Sequence, residues 1–207
     1  MLHRLNQKIR NDIENNFKQY LYLIILLIIG IILGLLLFNH SNEESKSEAK
    51  EYILKYFEQI KILDKENYLQ IFKSSLISKL TFLAIIVIFN FSIFGTIVMS
   101  ALFVFKGITL EYTISNILYV YGTFKGSMLA VAMLMLTNLI FIPLMIKVGV
   151  STRKSYFNLI NYNEERKSIF TKNIGLVVIA IAVIIAVSVI DTFINYNLVY
   201  GISKKFI

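Results

Sequence analysis

The sequence predicts an all-α, polytopic integral membrane protein with about five transmembrane helices and an extracytoplasmic helical hairpin between the first and the second. Three observations lead to this fold class. Hydrophobic residues make up 57% of the 207 residues and charged residues only 16%, whereas soluble domains contain about 25% charged residues. The mean hydropathy is +0.68. The apolar residues also form runs long enough to cross a hydrocarbon core, which takes about 20 residues.

The net charge of +8 is distributed as in a membrane protein rather than in a nucleic-acid-binding protein. Most of the excess Lys and Arg lies in residues 1–19 and 147–173, which flank apolar runs. Such basic flanks are typical of the cytoplasmic segments of membrane proteins. We therefore expect a multi-pass protein of the cell membrane, with a cytoplasmic amino terminus, membrane lipid around its helices and no nucleic acid among its partners.

The first apolar run follows the basic amino-terminal segment 1–19 and predicts a transmembrane helix over residues 20–38. Its 19 uncharged residues would span about 28 Å as a helix. A cleavable signal peptide would also be basic and then apolar. That alternative does not fit, because the run is too long and no small-residue cleavage site follows it.

Residues 39–79 are predicted to form the helical hairpin outside the membrane. The segment has seven lysines, seven acidic residues and neither Gly nor Pro. Its apolar residues recur on one face of a helix, as in an amphipathic helix. This stripe is a candidate docking surface for partner proteins, or it packs on Leu69, Phe72 and Leu76 of the second hairpin helix. The candidate docking residues are Tyr52, Ile53, Tyr56, Phe57 and Ile60.

Residues 80–146 are predicted to contain transmembrane helices 2–4. Leu80–Phe105 forms the second and Met128–Ile146 the fourth. The piece between them, Ile108–Tyr121, is short and contains Glu111, so it either crosses the membrane or re-enters it. Both basic tracts are cytoplasmic only if an even number of crossings separates them, which favours a crossing.

The remaining chain is predicted to form a cytoplasmic basic loop over 147–173, a fifth transmembrane helix over 174–194 and an extracytoplasmic tail over 195–207. The loop carries six Lys or Arg against two Glu, and the last apolar run ends at Asp191. With the hairpin outside, this topology places the two chain ends on opposite sides of the membrane.

The sequence contains no pattern that indicates a catalytic, cofactor-binding or metal-binding site. Cysteine is absent, and the two histidines, His3 and His40, lie near opposite ends of the first predicted helix, where they cannot share a metal. The spacings typical of zinc proteases, nucleophile elbows and phosphate-binding loops are absent as well. We therefore expect no cofactor and no enzymatic activity.

Two acidic residues, Glu111 and Asp191, lie inside or at the edge of apolar runs. An acid within the membrane is a functional candidate because burying its charge is costly. Asp191 could instead lie at the outer interface or make a structural hydrogen bond. Glu111 could pair with Lys106.

Two sequence features predict how the helices pack. Gly30 and Gly34 form a small-xxx-small pattern, which mediates close helix packing either within one chain or in a homodimer. Pro143, the single proline, should kink the fourth helix because it leaves the carbonyl of Leu139 without its helical donor.

Three asparagines, Asn90, Asn116 and Asn138, fall near the centres of consecutive predicted helices. Lipid offers no partner to an amide, so we expect these side chains to turn inward and hydrogen-bond one another. Such a polar layer would hold the helices together, although a transport site at the membrane midplane would use similar residues.

Several of these positions resemble the stage II sporulation protein M family. The early glycine pair, the order of the helices and an acid near the end of the last helix are similar to that family. So are Lys106-Gly107, Thr113-Ile114-Ser115, Gly122, Gly126 and the stretch Asn138–Pro143. The chain departs from the family pattern in having Glu111 in place of a glycine and Leu136 in place of a proline.

The resemblance implies a non-enzymatic membrane scaffold that acts in endospore formation. Its expected partners are two extracytoplasmic peptidoglycan-degrading proteins, one transglycosylase-like and one an amidase/endopeptidase. The scaffold would recruit them to the sporulation septum, where they remodel peptidoglycan and drive engulfment of the forespore. Broader relatives lie beside transporter genes, so the alternative is a small membrane permease or a transporter accessory subunit.

Overall fold

The computed structural model describes the backbone of residues 2–61, 65–161 and 166–206, and the regular structure in these ranges is helical with no strand. This confirms the all-α fold class. The helices are α1 (Leu2–Asn15), α2 (Phe17–His40), α3 (Glu43–Lys61), α4 (Lys65–Asn90), α5 (Gly95–Tyr121), α6 (Thr123–Ala130), a π-helical turn (Val131–Met135), α7 (Leu136–Asn161) and α8 (Arg166–Phe206).

Five of these helices contain a stretch that is long and apolar enough to cross a membrane, which confirms the predicted number of transmembrane helices. Each stretch has at least 22 residues, and about 20 residues suffice to cross the hydrocarbon core. The stretches are Phe17–His40, Tyr68–Asn90, Gly95–Tyr121, Leu136–Phe157 and Asn173–Asn195.

The break between the second and third membrane helices lies at residues 91–94, not at Lys106-Gly107 as predicted. Residues 108–121 are therefore the second half of α5 rather than a separate crossing or a re-entrant segment. The prediction was wrong because Phe91, Ile93 and Phe94 are as apolar as the helices that they connect. The Lys-Gly pair resembled a helix end, but it lies in the middle of a helix.

The predicted hairpin over 39–79 is also corrected. Residues from Lys65 onward belong to α4, which continues to Asn90, and α3 packs mainly against α5 and α8. Similarly, the segment 147–173 is not an irregular loop, because α7 continues to Asn161 and α8 begins at Arg166. The predicted tail after residue 194 continues α8 as far as Phe206.

The bundle has two ends, named here the α1 end and the α3 end after the helix that each one carries. At the α1 end, Asn90 near the end of α4 hydrogen-bonds to Thr152 in the last third of α7. At the α3 end, the ring of Phe38 at the end of α2 lies 6.2 Å from the rings of Tyr112 and Tyr119 in α5. Because of these contacts, α2 and α5 run parallel while α4 and α7 run in the opposite direction.

The core has two parts. The larger one joins α2, α4, α5, α7 and α8 through side chains with almost no exposed surface, including Leu23, Ile86, Phe103, Met145 and Ile184. A smaller cluster at the α3 end contains Ile117, Leu129, Ala130 and Met133, against which Ile53 of α3 packs. This second cluster attaches α3 to the bundle.

Candidate functional site

The predicted glycine pair packs α2 against α5 within the chain. A Cβ atom added at Gly30 would lie 2.2 Å from the carbonyl oxygen of Val104, and one added at Gly34 would lie 2.7 Å from that of Ile108. Gly107 of α5 makes the reciprocal approach to α2. Since the two backbones touch here, α5 occupies the helix face that would otherwise be available to a second copy of the chain.

Glu111 lies at this α2–α5 contact, beside Gly34, and not in a charge pair. Its Oε1 accepts a hydrogen bond of 3.1 Å from the Ser115 hydroxyl one turn later. The expected pair with Lys106 does not form. The two side chains are five positions apart, so they point in different directions from the helix axis, whereas neighbours on a helix surface are three or four apart.

The predicted layer of three asparagines is not present. Asn90 lies at the α1 end of α4, where its amide donates to the Gly149 carbonyl at 3.1 Å and to the Thr152 hydroxyl at 2.8 Å. It therefore joins α4 to α7. Because α4 ends at Asn90, this residue lies at the end of its helix and not at the predicted midpoint.

The other two asparagines bond within their own helices. Asn116 donates to the carbonyl of Tyr112, and Asn138 donates to that of Leu134, each at 2.7 Å. The predicted layer fails because Asn90 lies at the α1 end, whereas Asn116 and Asn138 lie toward the α3 end and each bonds a carbonyl of its own helix. Pro143 lies within α7 as predicted, and the helix continues through it.

A cavity with a volume of about 390 Å³ opens at the α3 end of the bundle. Pockets that hold small molecules usually measure roughly 300–1,000 Å³. It lies between α3, α4, α5, α7 and α8. Most of its surface is apolar, from residues such as Ile71, Ile117 and Met133, and hydroxyl, amide and charged groups supply the smaller part. The polar lining residues are Ser74, Ser75, Ser78, Lys79, Lys106, Thr113, Thr137, Asn138, Asp191 and Asn195.

An ion pair between α4 and α8 forms part of this cavity wall. The Asp191 Oδ2 atom accepts hydrogen bonds from Lys79 Nζ at 2.8 Å and from the Ser75 hydroxyl at 2.7 Å. The Lys79 and Asp191 side chains are only 12% and 14% exposed. Asn195 donates to the other oxygen at 3.4 Å. Of the alternatives for Asp191, the structure therefore shows a buried, hydrogen-bonded acid.

Lys106 brings a second positive charge to the same cavity. Its Nζ atom lies 5.4 Å from the centre of the Phe141 ring. Lys79 precedes the end of α4 by 11 residues, and Lys106 follows the start of α5 by 11 residues, so both lie about 16 Å from the α1 end of the bundle. That distance is about half of a hydrocarbon core of roughly 30 Å. Two lysines and one aspartate thus face the cavity at membrane depth.

The sequence reasoning missed Ser75, Lys79 and Lys106 as site residues. It treated each lysine as the end of an apolar run, although both lie inside continuous helices. One signal was present in the sequence: Ser75 and Lys79 are separated by four residues and so lie on one helix face. With apolar residues on either side, that face predicts a polar surface within a membrane helix.

The π-helical turn that precedes α7 contributes Met133 and Leu134 to the cavity wall. In a π-helical turn the backbone hydrogen bonds skip one residue more than in an α-helix, and such turns occur frequently at functional sites. The irregular backbone therefore lies at the cavity and not on the tightly packed side of the bundle.

Helix α3 covers the mouth of the cavity. Ile53 points inward to the smaller core cluster, whereas Tyr52 at the rim is 74% exposed. The side chains of the other three candidate docking residues, Tyr56, Phe57 and Ile60, lie outside the described residues. The alternative in which the stripe packs on the start of α4 receives no support from Leu69, which is 55% exposed.

At the α1 end, polar groups close the ends of helices. The Arg153 Nη1 atom donates to the carbonyls of Asn90 and Ser92 at 3.4 and 2.8 Å. The Asn90 carbonyl lacks a helical donor because α4 ends there, whereas the Ser92 carbonyl also accepts from the Gly95 N–H. The guanidinium also stacks over the rings of Tyr156 and Phe157, whose centres lie 4.9 and 4.6 Å away. Arg153 therefore joins the end of α4 to α7.

Asp12 of α1 connects the amino-terminal helix to the bundle. It accepts hydrogen bonds from Lys147 of α7 and from the Tyr20 hydroxyl, the latter at 2.7 Å. Burial raises the pKa of Asp12, but these two hydrogen bonds, together with the charges of Lys147 and Lys154, outweigh it and hold the pKa below its ordinary value. Among the described residues, no three His, Asp or Glu side chains come together as a metal site would require.

A known protein family matches most of the chain. The model of the family described as stage II sporulation protein M matches residues 23–195. The chain belongs to the stage II sporulation protein M family. The match begins within α2 and ends at Asn195, so it includes most of the first membrane stretch, the other four and the residues that line the charged cavity. No curated protein and no solved structure matches the chain.

Membership of the stage II sporulation protein M family identifies the chain as a sporulation-related, multi-pass membrane protein. The family is generally not one of enzymes.

Proposed function

We propose that this member of the family is a non-enzymatic scaffold at the sporulation septum and the engulfing membrane. In this proposal the chain recruits two extracytoplasmic peptidoglycan-degrading proteins, one transglycosylase-like and one an amidase/endopeptidase. Membership of the family supports the role in sporulation. The observation that supports a docking function is α3, a helix outside the membrane stretches that is attached to the bundle and presents an exposed tyrosine.

The geometry of α3 suits a docking element. Ile53 packs against Ile117 and the smaller core cluster, so the helix has a fixed position on the bundle. Tyr52, one residue earlier, points away from that contact and is 74% exposed. Tyrosines on an ordered surface are common anchors of protein interfaces because a large apolar ring is buried at little cost in conformational entropy.

The same proposal places the α1 end in the cytoplasm and α3 outside. Basic residues concentrate at the α1 end, in the amino-terminal segment 1–19 and around the α7–α8 connection. Lys and Arg are enriched in cytoplasmic segments. The four membrane stretches that precede the α7–α8 connection allow both basic regions to lie on one side of the membrane.

Co-purification of the two wall hydrolases tests the docking function. We expect Tyr52→Ala to weaken their retention about tenfold, which corresponds to the loss of one interface anchor. Leu54→Ala is the matched control, because Leu54 lies on the same helix and is 39% exposed, but it points to another side. Equal retention by both variants, at normal protein levels, would move docking away from this face.

Labelling with a membrane-impermeant maleimide tests the orientation, because the chain has no cysteine of its own. Cysteine in place of Ser47, which lies in α3 and is exposed, should react in intact cells whose wall has been permeabilised. Cysteine in place of Ser168 in α8 should react only after lysis. Labelling of the Ser168 variant from outside would show that the orientation is reversed.

The charged cavity favours the second candidate function, a small permease or transporter accessory subunit. Ionisable residues inside membrane helices frequently line solute pathways. Lys106→Met separates the two functions, since this residue faces the cavity and is distant in sequence from α3. If the variant is made at a normal level, retains both hydrolases and still fails in engulfment, transport rather than scaffolding is indicated.

A further inference from the structure

The cavity at the α3 end carries more positive than negative charge. Lys79 and Lys106 face it, and among the described lining residues Asp191 is the one acid. Lys79 is neutralised by Asp191 at 2.8 Å. Within the described part of the chain, Lys106 Nζ has no hydrogen-bonding or ion-pair partner, only the Phe141 ring. One unit of positive charge is thus left uncompensated.

An uncompensated ammonium group about halfway through the membrane is costly, because a charge in a medium of low dielectric loses its hydration. A ring face recovers only a small part of that cost, on the order of 1–2 kcal/mol. A ligand with one negative charge would recover much more. The charge count therefore specifies an anion and its valence.

The uncharged groups of the cavity specify the chemistry of that anion. Hydroxyl groups line the same cavity as the lysines, and those of Ser74, Ser78 and Thr137 make no hydrogen bond to the described residues. Hydroxyl and amide hydrogens bond well to the oxygens of phosphate or carboxylate groups, and lysine is a common partner of phosphate. A volume of about 390 Å³ accommodates such a group together with a small substituent or water.

We propose that this cavity is a binding site for a singly charged oxyanion, a phosphate or carboxylate group, with Lys106 as its principal cation. The anion enters from the α3 end, where Tyr52 and Ile53 border the opening. A small soluble anion reaches Lys106 directly. A lipid headgroup carries the same phosphate or carboxylate group and approaches from the side of the bundle. This site goes beyond the scaffold function and does not depend on it.

Thermal unfolding of the purified full chain in a neutral detergent tests the proposal with two probes. Sodium phosphate is compared with sodium chloride at equal ionic strength, and phosphatidylglycerol is compared with phosphatidylcholine. We expect the unfolding temperature to rise by about 3–6 °C at roughly ten times the dissociation constant. A shift with phosphate identifies a soluble ligand, and a shift with phosphatidylglycerol alone identifies a lipid. No shift with either probe overturns the proposal.

Matched variants assign the shift to Lys106. Lys106→Met should remove it, and Lys106→Arg, which keeps the charge, should retain it. Lys73→Gln should also retain it, because Lys73 lies on α4 but is exposed and does not line the cavity. If the Lys106→Met protein still responds like the unchanged chain, the anion binds elsewhere and the proposal is wrong. Should Lys106→Met fail to fold, loss of the shift in Lys106→Gln decides the question in the same way.

Discussion

Arg153 at the α1 end and Lys106 near the middle of α5 are both cations within membrane helices, but their surroundings differ. Arg153 is 8% exposed and donates to the carbonyls of Asn90 and Ser92. Lys106 faces a cavity, and its ammonium group lies over the Phe141 ring with no hydrogen bond or ion pair to the described residues. The difference shows that Arg153 joins two helices through its hydrogen bonds, whereas Lys106 faces the cavity with its charge unpaired among the described residues.

The largest effect expected at the α3 end is that of Asp191→Asn. This change leaves Lys79 and Lys106 facing one cavity without a counter-charge, so we expect the free energy of unfolding to fall by about 3 kcal/mol. Denaturant unfolding of the detergent-purified chain measures this loss.

Lys79→Met is the matched control for that change. Lys106 remains to neutralise Asp191, and Ser75 still donates to it, so we expect a loss of only about 1 kcal/mol. Equal losses in the two variants would mean that Lys106 does not contribute to the charge balance of the cavity.

Replacing Arg153 and Lys106 in turn by methionine tests most directly whether the two cations have different roles. Arg153→Met should lower the free energy of unfolding by about 2–3 kcal/mol, because it removes hydrogen bonds to the Asn90 and Ser92 carbonyls and leaves the Asn90 carbonyl at the end of α4 without a donor. Lys106→Met should cost nothing or stabilise the chain, because it removes an uncompensated charge. Denaturant unfolding of both variants under one condition checks this. A loss in Lys106→Met as large as that in Arg153→Met would contradict it.

A smaller difference in the free energy of unfolding is expected between alanine variants of two of the asparagines. Asn90→Ala removes two hydrogen bonds to α7 and should cost about 1–2 kcal/mol in the free energy of unfolding. Asn138→Ala removes a bond within its own helix, so about 0.5 kcal/mol is expected. Unfolding in detergent distinguishes the two. If Asn138→Ala is the more damaging, its role in the cavity is structural.

The smallest effect is a pH dependence at the α1 end. The pKa of Asp12 in the folded chain lies below its ordinary value of 3.8, so its contribution to stability is present above about pH 4. That contribution is lost as the pH falls through the folded-state pKa. Thermal unfolding from pH 6 to pH 3 should therefore show a shallower acid loss in Asp12→Asn. Lys147→Met should behave similarly, and an unchanged profile in both variants would contradict the assignment.

The sequence predicted features that depend on neighbouring residues along the chain. Gly30 and Gly34 indicated a close helix contact, and the structure shows it with α5 as the partner. The prediction failed where an apolar turn joins two apolar helices at residues 91–94. Hydropathy cannot locate such a turn, because turn and helix are equally apolar. Because this turn was placed incorrectly, the sequence also predicted an asparagine layer that is absent and placed Lys106 at a helix end.

The charged cavity lay beyond sequence reasoning for a different reason. Lys79 and Asp191 are 112 positions apart, and nothing local to either residue identifies the other as its partner. The sequence shows that Ser75 and Lys79 share one polar helix face, but it does not show the direction in which that face points. Only the packing of α4 against α8 brings the ion pair together and leaves Lys106 beside it.

The sequence by itself determined that the protein is helical, that it lies in a membrane and that five of its helices are long enough to cross one. These properties are sums over contiguous residues, since transfer into lipid depends on the length and composition of each apolar run. The tertiary structure alone decided where helices break, which glycines touch and which charges share a cavity. These depend on contacts between distant segments, because a charge within the membrane acquires its partner only when the helices pack.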